Sequence, residues 1–309
     1  MTPAPLFVTP DGWAPGRELE GFLREVRPYG VLLFARHLKG PSQVRELCAC
    51  VREALPEAPP RIALDQEGGR VSRLSALGAR YPGASEMKGD AARVEALAFE
   101  MGEHLKDLGF TDDFAPVADL GPALPGTGLE GRVYGEEPGV VTECCRAFLR
   151  GLERAGVRGC LKHYPGLGGS RVDSHVELPV LEGSAEARRD HFEPYRRLAA
   201  TAPAVMVAHA AAETYADPSP TSLNREVYEE LRAMGARGIL LTDDLSMGAL
   251  DGVGPLPDRL HACLEAGADA AIVVYPQEDV LGALARARRS PAFEEAASRL
   301  AEVSKRLKP

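Results

Sequence analysis

Apolar and polar positions divide the chain into two kinds of stretch that follow each other from one end to the other. Short, nearly continuous apolar runs are typical of strands that are buried on both faces. They occur at 6–8, 29–34, 61–64, 114–119, 159–161, 204–208, 238–241 and 270–275. Stretches with apolar residues at helical spacing occur at 18–26, 41–54, 91–108, 139–155, 185–201, 226–234 and 256–266, and two more helices are predicted after 275. The chain therefore reads as repeated strand-helix units.

This alternation predicts the fold class. Strands that are separated by helices form parallel sheets with right-handed crossovers. About eight such units favour a closed barrel over an open sheet in a chain of 309 residues. Since no stretch resembles a linker and no repeat suggests a solenoid, we predict an α/β fold, a single-domain TIM-type (β/α)8 barrel over residues 1–309.

Polar side chains follow most of the predicted strands. The residues are Arg36, Asp65, Asp119, Lys162, His163, His209, Asp243 and Asp244, each placed just beyond an apolar run. The carboxyl ends of the strands share one face of a barrel, where barrel enzymes carry their chemistry. Asp119 and Asp244 could instead cap the helices that follow them. The shared position of the whole set nevertheless predicts a site on that face.

The stretch 162–179 combines chemistry with a loop. It reads Lys-His-Tyr-Pro-Gly-Leu-Gly-Gly-Ser-Arg-Val-Asp-Ser-His-Val-Glu-Leu-Pro. Its proline and glycines permit tight turns but cannot continue a helix or a central strand. Asp173 and His175 are spaced so that the carboxylate can orient the ring and raise its basicity. A lone histidine or lysine is more often an ordinary polar group, but this combination favours a functional site.

Composition narrows the class of partner. Hydrophobic residues make up 45% and charged residues 26%, as in ordinary soluble globular proteins. The net charge of −9 argues against a nucleic-acid or anionic-membrane surface. The first residues lack a signal peptide pattern, and no apolar run approaches the roughly 20 residues that span a bilayer. We therefore predict a cytoplasmic protein without nucleic-acid or membrane partners; the oligomeric state is not indicated.

The cysteines do not indicate a metal centre. They are Cys48, Cys50, Cys144, Cys145, Cys160 and Cys263, and none belongs to a Cys-x-x-Cys pair. Zinc spacing is therefore absent, and cytoplasmic thiols stay reduced. We predict buried structural thiols, not a metal site or a disulfide framework.

Four motifs together resemble glycoside hydrolase family 3. They are Asp-Gln-Glu-Gly-Gly-Arg-Val at 65–71, Lys-His-Tyr-Pro-Gly at 162–166, Asp-Ser-His at 173–175 and Thr-Asp-Asp-Leu-Ser-Met at 242–247. The resemblance runs from about residue 6 to residue 290 and is strongest to single-domain bacterial β-N-acetylglucosaminidases (β-N-acetylhexosaminidases) of peptidoglycan recycling. It implies a small carbohydrate substrate, namely terminal β-linked N-acetylglucosamine on muropeptide-like fragments, and retaining hydrolysis without a metal or organic cofactor.

The resemblance implies roles for particular residues. It makes Asp243 the nucleophile, which forms a covalent glycosyl intermediate, and gives Asp244 a supporting role. It makes His175 the general acid/base, with Asp173 holding its ring. Most retaining glycosidases use a second carboxylate for this task. An imidazole with an ordinary pKa near 6.5 can also give and take a proton at neutral pH, and the loop that carries it is expected to close over the sugar.

Further residues are implied to bind the sugar. They are Asp65, Arg73, Arg132, Lys162 and His163, whose short acidic acceptors and cationic donors suit sugar hydroxyls. For Glu67 and Arg70, a structural ion pair is at least as expected as a substrate contact. His209 is expected to support the site without taking part in proton transfer.

One position departs from the family pattern and alternatives remain open. The family's loop usually reads Pro-Gly-His-Gly, whereas this chain has Leu167 in place of the histidine. We expect Leu167 to alter loop packing or substrate preference without abolishing turnover. The alternatives are a related family 3 β-glycosidase or glycoside phosphorylase and, in a different class, a non-catalytic sugar-binding barrel.

Overall fold

Eight parallel strands form a closed barrel in the computed structural model, which describes residues 2–87, 89–170 and 172–307. The strands are β1 Ala4–Val8, β2 Pro28–Leu32, β3 Arg61–Leu64, β4 Asp112–Asp113, β5 Arg158–Tyr164, β6 Ala204–Val207, β7 Ile239–Asp244 and β8 Ala270–Val273. Each strand pairs with its neighbours in sequence, and β8 pairs with β1 to close the barrel. The predicted (β/α)8 barrel is confirmed.

Helices surround the barrel in the connections between strands. Those that the structure describes are α1 Arg17–Val26, α2 Pro41–Ala54, α3 Ala91–Leu108, α4 Pro138–Ala155, α5 Arg189–Leu198, α6 Arg225–Ala233, α7 Leu256–Ala266, α8 Gln277–Ala287 and α9 Pro291–Arg306. Helix α3 shows how local sequence sets the ends: the Asp90 side chain accepts a hydrogen bond from the Arg93 N–H, and Gly109 ends the helix in the left-handed conformation. None of these helices is both long enough and apolar enough to cross a membrane.

The strands separate two apolar layers. In β1, Leu6 and Val8 pack outward with the helices, whereas Phe7 belongs to the inner cluster of the barrel. This alternation follows from the period of two in a strand. Leu300 and Val303 of α9 join the same inner cluster, so α9 covers the end of the barrel where the strands begin. The opposite end is left for the loops that follow the strands.

The strand expected at 114–119 lies elsewhere, and this prediction was wrong. The barrel strand at this point is the two-residue β4, which ends at Asp113. The chain then runs beside β5 with irregular pairing, including a hydrogen bond of 2.6 Å from the Ala118 N–H to the Lys162 carbonyl. Pro116 has no N–H to donate, so a regular strand cannot continue through it.

Two strands extend further than their apolar runs suggested. Strand β5 continues through Lys162 and His163, and β7 continues through Asp243 and Asp244. These polar residues therefore lie inside strand ends, whereas the sequence placed them just beyond. The hydrogen-bond ladder fixes their backbones, so their side chains have more rigid support than a loop would give. Helix α5 is shorter than the predicted 185–201 and begins at Arg189.

Candidate active site

A cavity of about 340 Å³ opens at the carboxyl ends of the strands. We call it the central cavity. All eight residues that the sequence assigned to catalysis or sugar binding line it: Asp65, Arg73, Arg132, Lys162, His163, Asp173, His175 and Asp243. Its volume lies in the range of small-molecule sites, and its place in the barrel is the one where barrel enzymes bind substrate.

Lys162 is a buried cation that lines the central cavity. Its side chain is 2% exposed, and its Nζ lies 2.9 Å from Asp65 Oδ1 and 2.6 Å from Glu67 Oε1. Burial alone favours the neutral amine, but the two carboxylates outweigh it and raise the pKa of Lys162. The ammonium is therefore charged at neutral pH and fixed between two acids.

Each of these acids is shared with an arginine. Arg132 donates from Nε and Nη2 to the two oxygens of Glu67, both at 2.8 Å, and Arg73 lies 3.3 Å from Asp65. Burial acts to raise the pKa of Glu67, but Arg132 and Lys162 prevail and hold it far below its ordinary value. The pKa of Asp65 is lowered in the same way, with burial outweighed by Lys162 and Arg73. The network thus presents fixed charged donors and acceptors to a ligand.

His163 is oriented by a carboxylate behind it. Its Nδ1 lies 2.7 Å from Asp119 Oδ2, and the other Asp119 oxygen accepts the Leu167 N–H at 2.6 Å. The other ring nitrogen, Nε2, lies 3.5 Å from Arg132 Nη2. Asp119 therefore holds the ring and the loop that follows, and does not cap a helix.

Asp243 stands at the end of β7 with its carboxyl in the central cavity. Its Oδ1 accepts the N–H of Asp244 at 2.8 Å. Burial acts to raise the pKa of Asp243, but nearby His163, His209 and Lys162 outweigh it, and the net direction is down. The carboxylate is ionised at neutral pH, as a nucleophile must be.

Asp244 and His209 brace the turn that follows Asp243. The Asp244 carboxylate accepts hydrogen bonds from the Ser246 N–H at 2.9 Å and the Val274 N–H at 3.2 Å, and burial raises its pKa to about 6. The fully buried His209 ring lies 2.9 Å from the Asp244 carbonyl and 2.6 Å from Ser222 Oγ. His209 does not line the cavity, so it can support the site but not contact a ligand.

His175 reaches the central cavity from the loop after β5. Its N–H and its Nδ1 both hydrogen-bond Asp173 Oδ1, at 3.0 and 2.7 Å. Partial burial acts to raise the pKa of Asp173, but the bonds from His175 lower it. The ring is 69% exposed, and its Nε2 is left to face a ligand. Arg171, in the same loop, lies outside the described residues.

Leu167 forms part of an apolar wall. It is 8% exposed, packs with Val117, Leu129 and Val133, and lines the central cavity. The position where the family's loop usually has a histidine is therefore filled by a side chain that neither donates nor accepts hydrogen bonds. Hydrogen bonds to a ligand on this side of the cavity must therefore come from neighbouring residues and not from position 167.

Two features of the site differ from the sequence-based picture. Arg36 is exposed and does not line the cavity; its guanidinium lies 4.6 Å from the centre of the Phe34 ring. Asp113 belongs to none of the four motifs, but it is fully buried at the end of β4 and accepts the Gln66 N–H at 2.8 Å. Burial holds the pKa of Asp113 well above its ordinary value. The sequence signal for Asp113 is the pair Asp112-Asp113 directly before the apolar run that starts at Phe114.

The described residues include side chains of the kinds that bind metal ions in proteins. Within residues 2–87, 89–170 and 172–307, no group of three or more His, Cys, Asp or Glu side chains is arranged to hold a metal ion. Burial raises the pKa of the Cys48, Cys144 and Cys263 thiols to about 12, 11 and 12. These cysteines are therefore packing residues and not ready thiolates.

Sequence comparison places the chain among known proteins. The family model described as "Glycosyl hydrolase family 3 N terminal domain" matches residues 13–303. A β-hexosaminidase of Xylella fastidiosa is 36% identical over 278 residues, which cover 85% of this chain and 82% of that protein. A β-hexosaminidase of Pseudomonas aeruginosa is 35% identical over 279 residues, covering 87% and 82%.

Solved structures show the same similarity. A family 3 β-N-acetylglucosaminidase from Paenibacillus sp. matches with a TM-score of 0.88 and 30% identity over 98% of this chain; the match spans 61% of that longer protein. A family 3 glycosyl hydrolase from Mycobacterium smegmatis matches with a TM-score of 0.85 and 31% identity, over 97% of this chain and 94% of that one.

Proposed function

The chain belongs to glycosyl hydrolase family 3, and we propose that it is a retaining exo-β-N-acetylglucosaminidase. The observation that carries this proposal is the shared cavity: Asp243 from β7 and His175 from the loop after β5 line it together with the Lys162 network. The relatives are a β-hexosaminidase and a β-N-acetylglucosaminidase, which supports the choice of sugar.

In the first step, the Asp243 carboxylate attacks the anomeric carbon of the sugar. The bond from that carbon to the leaving oxygen breaks while the protonated His175 ring donates its proton to the oxygen. The product is an alcohol and a glycosyl ester on Asp243. Asp173 holds the ring by the Nδ1 contact of 2.7 Å, so that Nε2 faces the bond being cleaved.

In the second step, the now neutral His175 ring takes a proton from water as the water attacks the anomeric carbon. The ester bond breaks, Asp243 returns as a carboxylate and the sugar leaves with its original configuration. Asp65, Arg73, Arg132, Lys162 and His163 would pair the sugar hydroxyls during both steps. Because the His175 ring is 69% exposed, we expect the outer part of its loop to close over the ring when a sugar binds.

The experiment is to follow an aryl β-N-acetylglucosaminide by NMR, with and without phosphate. We expect N-acetylglucosamine to appear first as the β-anomer in both conditions. A first product of α configuration would reject retention, and a sugar 1-phosphate would favour the phosphorylase alternative. Binding without turnover of any aryl glycoside would favour the non-catalytic sugar-binding barrel.

A muropeptide-like aglycone and a cytoplasmic location belong to the same proposal. They rest on the resemblance of the four motifs to the peptidoglycan-recycling enzymes. The aglycone is tested by comparing kcat/KM for N-acetylglucosamine β-1,4-linked to N-acetylmuramic acid with kcat/KM for the disaccharide of N-acetylglucosamine alone. Preference for the neutral disaccharide would contradict this part of the proposal and leave the glycosidase activity standing.

A further inference from the structure

The segment that carries His175 is docked against the turn that follows Asp243. The Gly248 N–H donates to the His175 carbonyl at 3.1 Å, and the Ala249 N–H donates to the Ser174 carbonyl at 3.2 Å. These are the first N–H groups of the 3-10 helix Gly248–Val253, which have no partner inside the helix. The loop carbonyls therefore satisfy donors that the helix itself leaves open.

This docking requires a residue without a side chain at position 248. A Cβ placed on Gly248 would lie 2.7 Å from the Val176 carbonyl oxygen and 2.9 Å from that of His175. Such contacts are closer than real Cβ atoms show, and both partners are backbone atoms that cannot rotate away. Gly248 does not have a positive φ, so an alanine there would be compatible with the backbone. Glycine is therefore required by the close contact with the loop and not by the backbone conformation.

The same loop is held on its other side. Asp173 packs against Gly128, where an added Cβ would lie 3.3 Å from Asp173 Oδ1. Arg132, which pairs with Glu67, donates to the Gly128 carbonyl at 2.7 Å. The acid/base segment thus spans from the sugar-binding network to the turn after the nucleophile.

The turn that receives the segment begins directly after the proposed nucleophile. Strand β7 ends at Asp244, and the Met247 N–H donates to the Asp244 carbonyl at 3.1 Å, directly before Gly248. A displacement of the His175 segment from this turn would therefore change the distance between the imidazole and Asp243. Small errors in such a distance can cost about 10²-fold in rate.

We propose that Gly248 is a positioning residue that sets the place of His175 relative to Asp243. The inference rests on the proposed function, because it matters only if these two side chains share one reaction. Gly248 acts through its backbone and its lack of a side chain, without touching the substrate. Substitution of Gly248 should therefore slow proton transfer from His175 to the leaving group without slowing the attack by Asp243.

The experiment compares Gly248→Ala with Gly252→Ala, using two aryl β-N-acetylglucosaminides. Gly252 lies in the same 3-10 helix, and nothing lies within 4 Å of a Cβ built on it. A phenyl leaving group needs a proton, whereas 2,4-dinitrophenyl does not. We expect Gly248→Ala to lower kcat/KM about tenfold or more for the phenyl substrate and less than about twofold for the dinitrophenyl substrate. Gly252→Ala should match the wild type on both.

Other outcomes would overturn the inference. Equal slowing of both substrates would mean general damage, and unchanged rates would mean that the docking has no role. A wild type that is inactive on both substrates would instead reject the proposed function. If Gly248→Ala does not fold, amide exchange in the wild type decides: protected Gly248 and Ala249 amides support the docked loop, and exchange at the rate of unstructured amides overturns it.

Discussion

At the scale of single residues, the site is organised by one buried ammonium group. Lys162 is enclosed by Asp65 and Glu67, which are themselves shared with Arg73 and Arg132. The sequence indicated a cation at a strand end, but not its partners, because they lie far away along the chain and meet only when the barrel closes. The contact between Asp173 and His175 was predictable, since the two residues are neighbours in sequence.

Removing this cation should destabilise the protein in a pH-dependent way. We expect Lys162→Met to lower the free energy of unfolding by about 3–5 kcal/mol at pH 7.5, because two carboxylates then lose a buried partner. In the wild type their lowered pKa values give stability above the unfolded pKa near 4, and this stability is lost as pH falls through the folded values. In the variant Lys162 no longer offsets the burial of the two acids, so their folded-state pKa values should rise above the unfolded value. The folded variant then takes up protons as pH falls, and the deficit should shrink toward pH 4.5.

Urea unfolding of both proteins at pH 7.5, 5.5 and 4.5 measures this effect. The exposed Lys39 provides a control: Lys39→Met should change the free energy of unfolding by no more than about 0.5 kcal/mol at any of these pH values. A Lys162→Met deficit that is the same at all three pH values would show that lost packing, and not unpaired charge, is responsible.

At the scale of elements, most strands and helices lie where the apolar pattern predicts them. The pattern placed β3, α2 and α3 at their observed bounds. It misplaced β4, because apolar periodicity carries no information about the missing N–H of Pro116, which interrupts the hydrogen bonding between strands. The extension of β5 into charged residues was also hidden, since the partners of Lys162 and His163, namely Asp65, Glu67 and Asp119, come from distant parts of the chain. The apolar run before Asp243 gave no sign that β7 continues through Asp243 and Asp244.

The loop after β5 supplies a second prediction, at Leu167. We expect the wild type to turn over aryl β-N-acetylglucosaminides, and Leu167→His to stay active but unfold more easily by about 1–3 kcal/mol. The reason is that the imidazole would enter the apolar cluster formed with Val117, Leu129 and Val133. The ratio of kcat/KM for an N-acetylglucosaminide to that for the matching glucoside should change, because Leu167 lines the cavity.

Kinetics and thermal unfolding of the two proteins check this prediction. Leu124 is 42% exposed, and Leu124→His serves as a control that should leave both stability and the substrate ratio unchanged. An inactive wild type that gains activity in Leu167→His would show that the usual histidine is required for turnover.

At the scale of the whole molecule, one end of the barrel carries the candidate site and the other end contributes to stability. The end where the strands finish carries the central cavity, and the end where they begin is covered by α9. The alternation of strands and helices was sufficient to predict this barrel and the face that bears the site. It could not predict the shape of the cavity, because that depends on loop contacts such as the one between Gly248 and His175.

This division predicts that the covered end can be weakened without loss of catalysis. We expect Leu300→Ala to lower the free energy of unfolding by about 2–4 kcal/mol, because Leu300 is 2% exposed in the inner cluster. At a temperature where the protein stays folded, kcat/KM should remain within about twofold of the wild type. Urea unfolding and steady-state kinetics measure both quantities, with the exposed Glu302→Ala as the control on the same helix. A large loss of kcat/KM in the folded Leu300→Ala protein would contradict the separation.

Covalent capture of the glycosyl intermediate tests the proposed retaining mechanism most directly. A fluorinated N-acetylglucosaminyl fluoride forms the ester quickly but releases it slowly, so the modified protein can be digested and its peptides weighed by mass spectrometry. We expect the wild type to carry one sugar on the peptide that contains Asp243, and Asp243→Asn to carry none. A sugar attached to another residue, or no adduct in an enzyme that turns over aryl β-N-acetylglucosaminides, would contradict the assignment of Asp243 as the nucleophile.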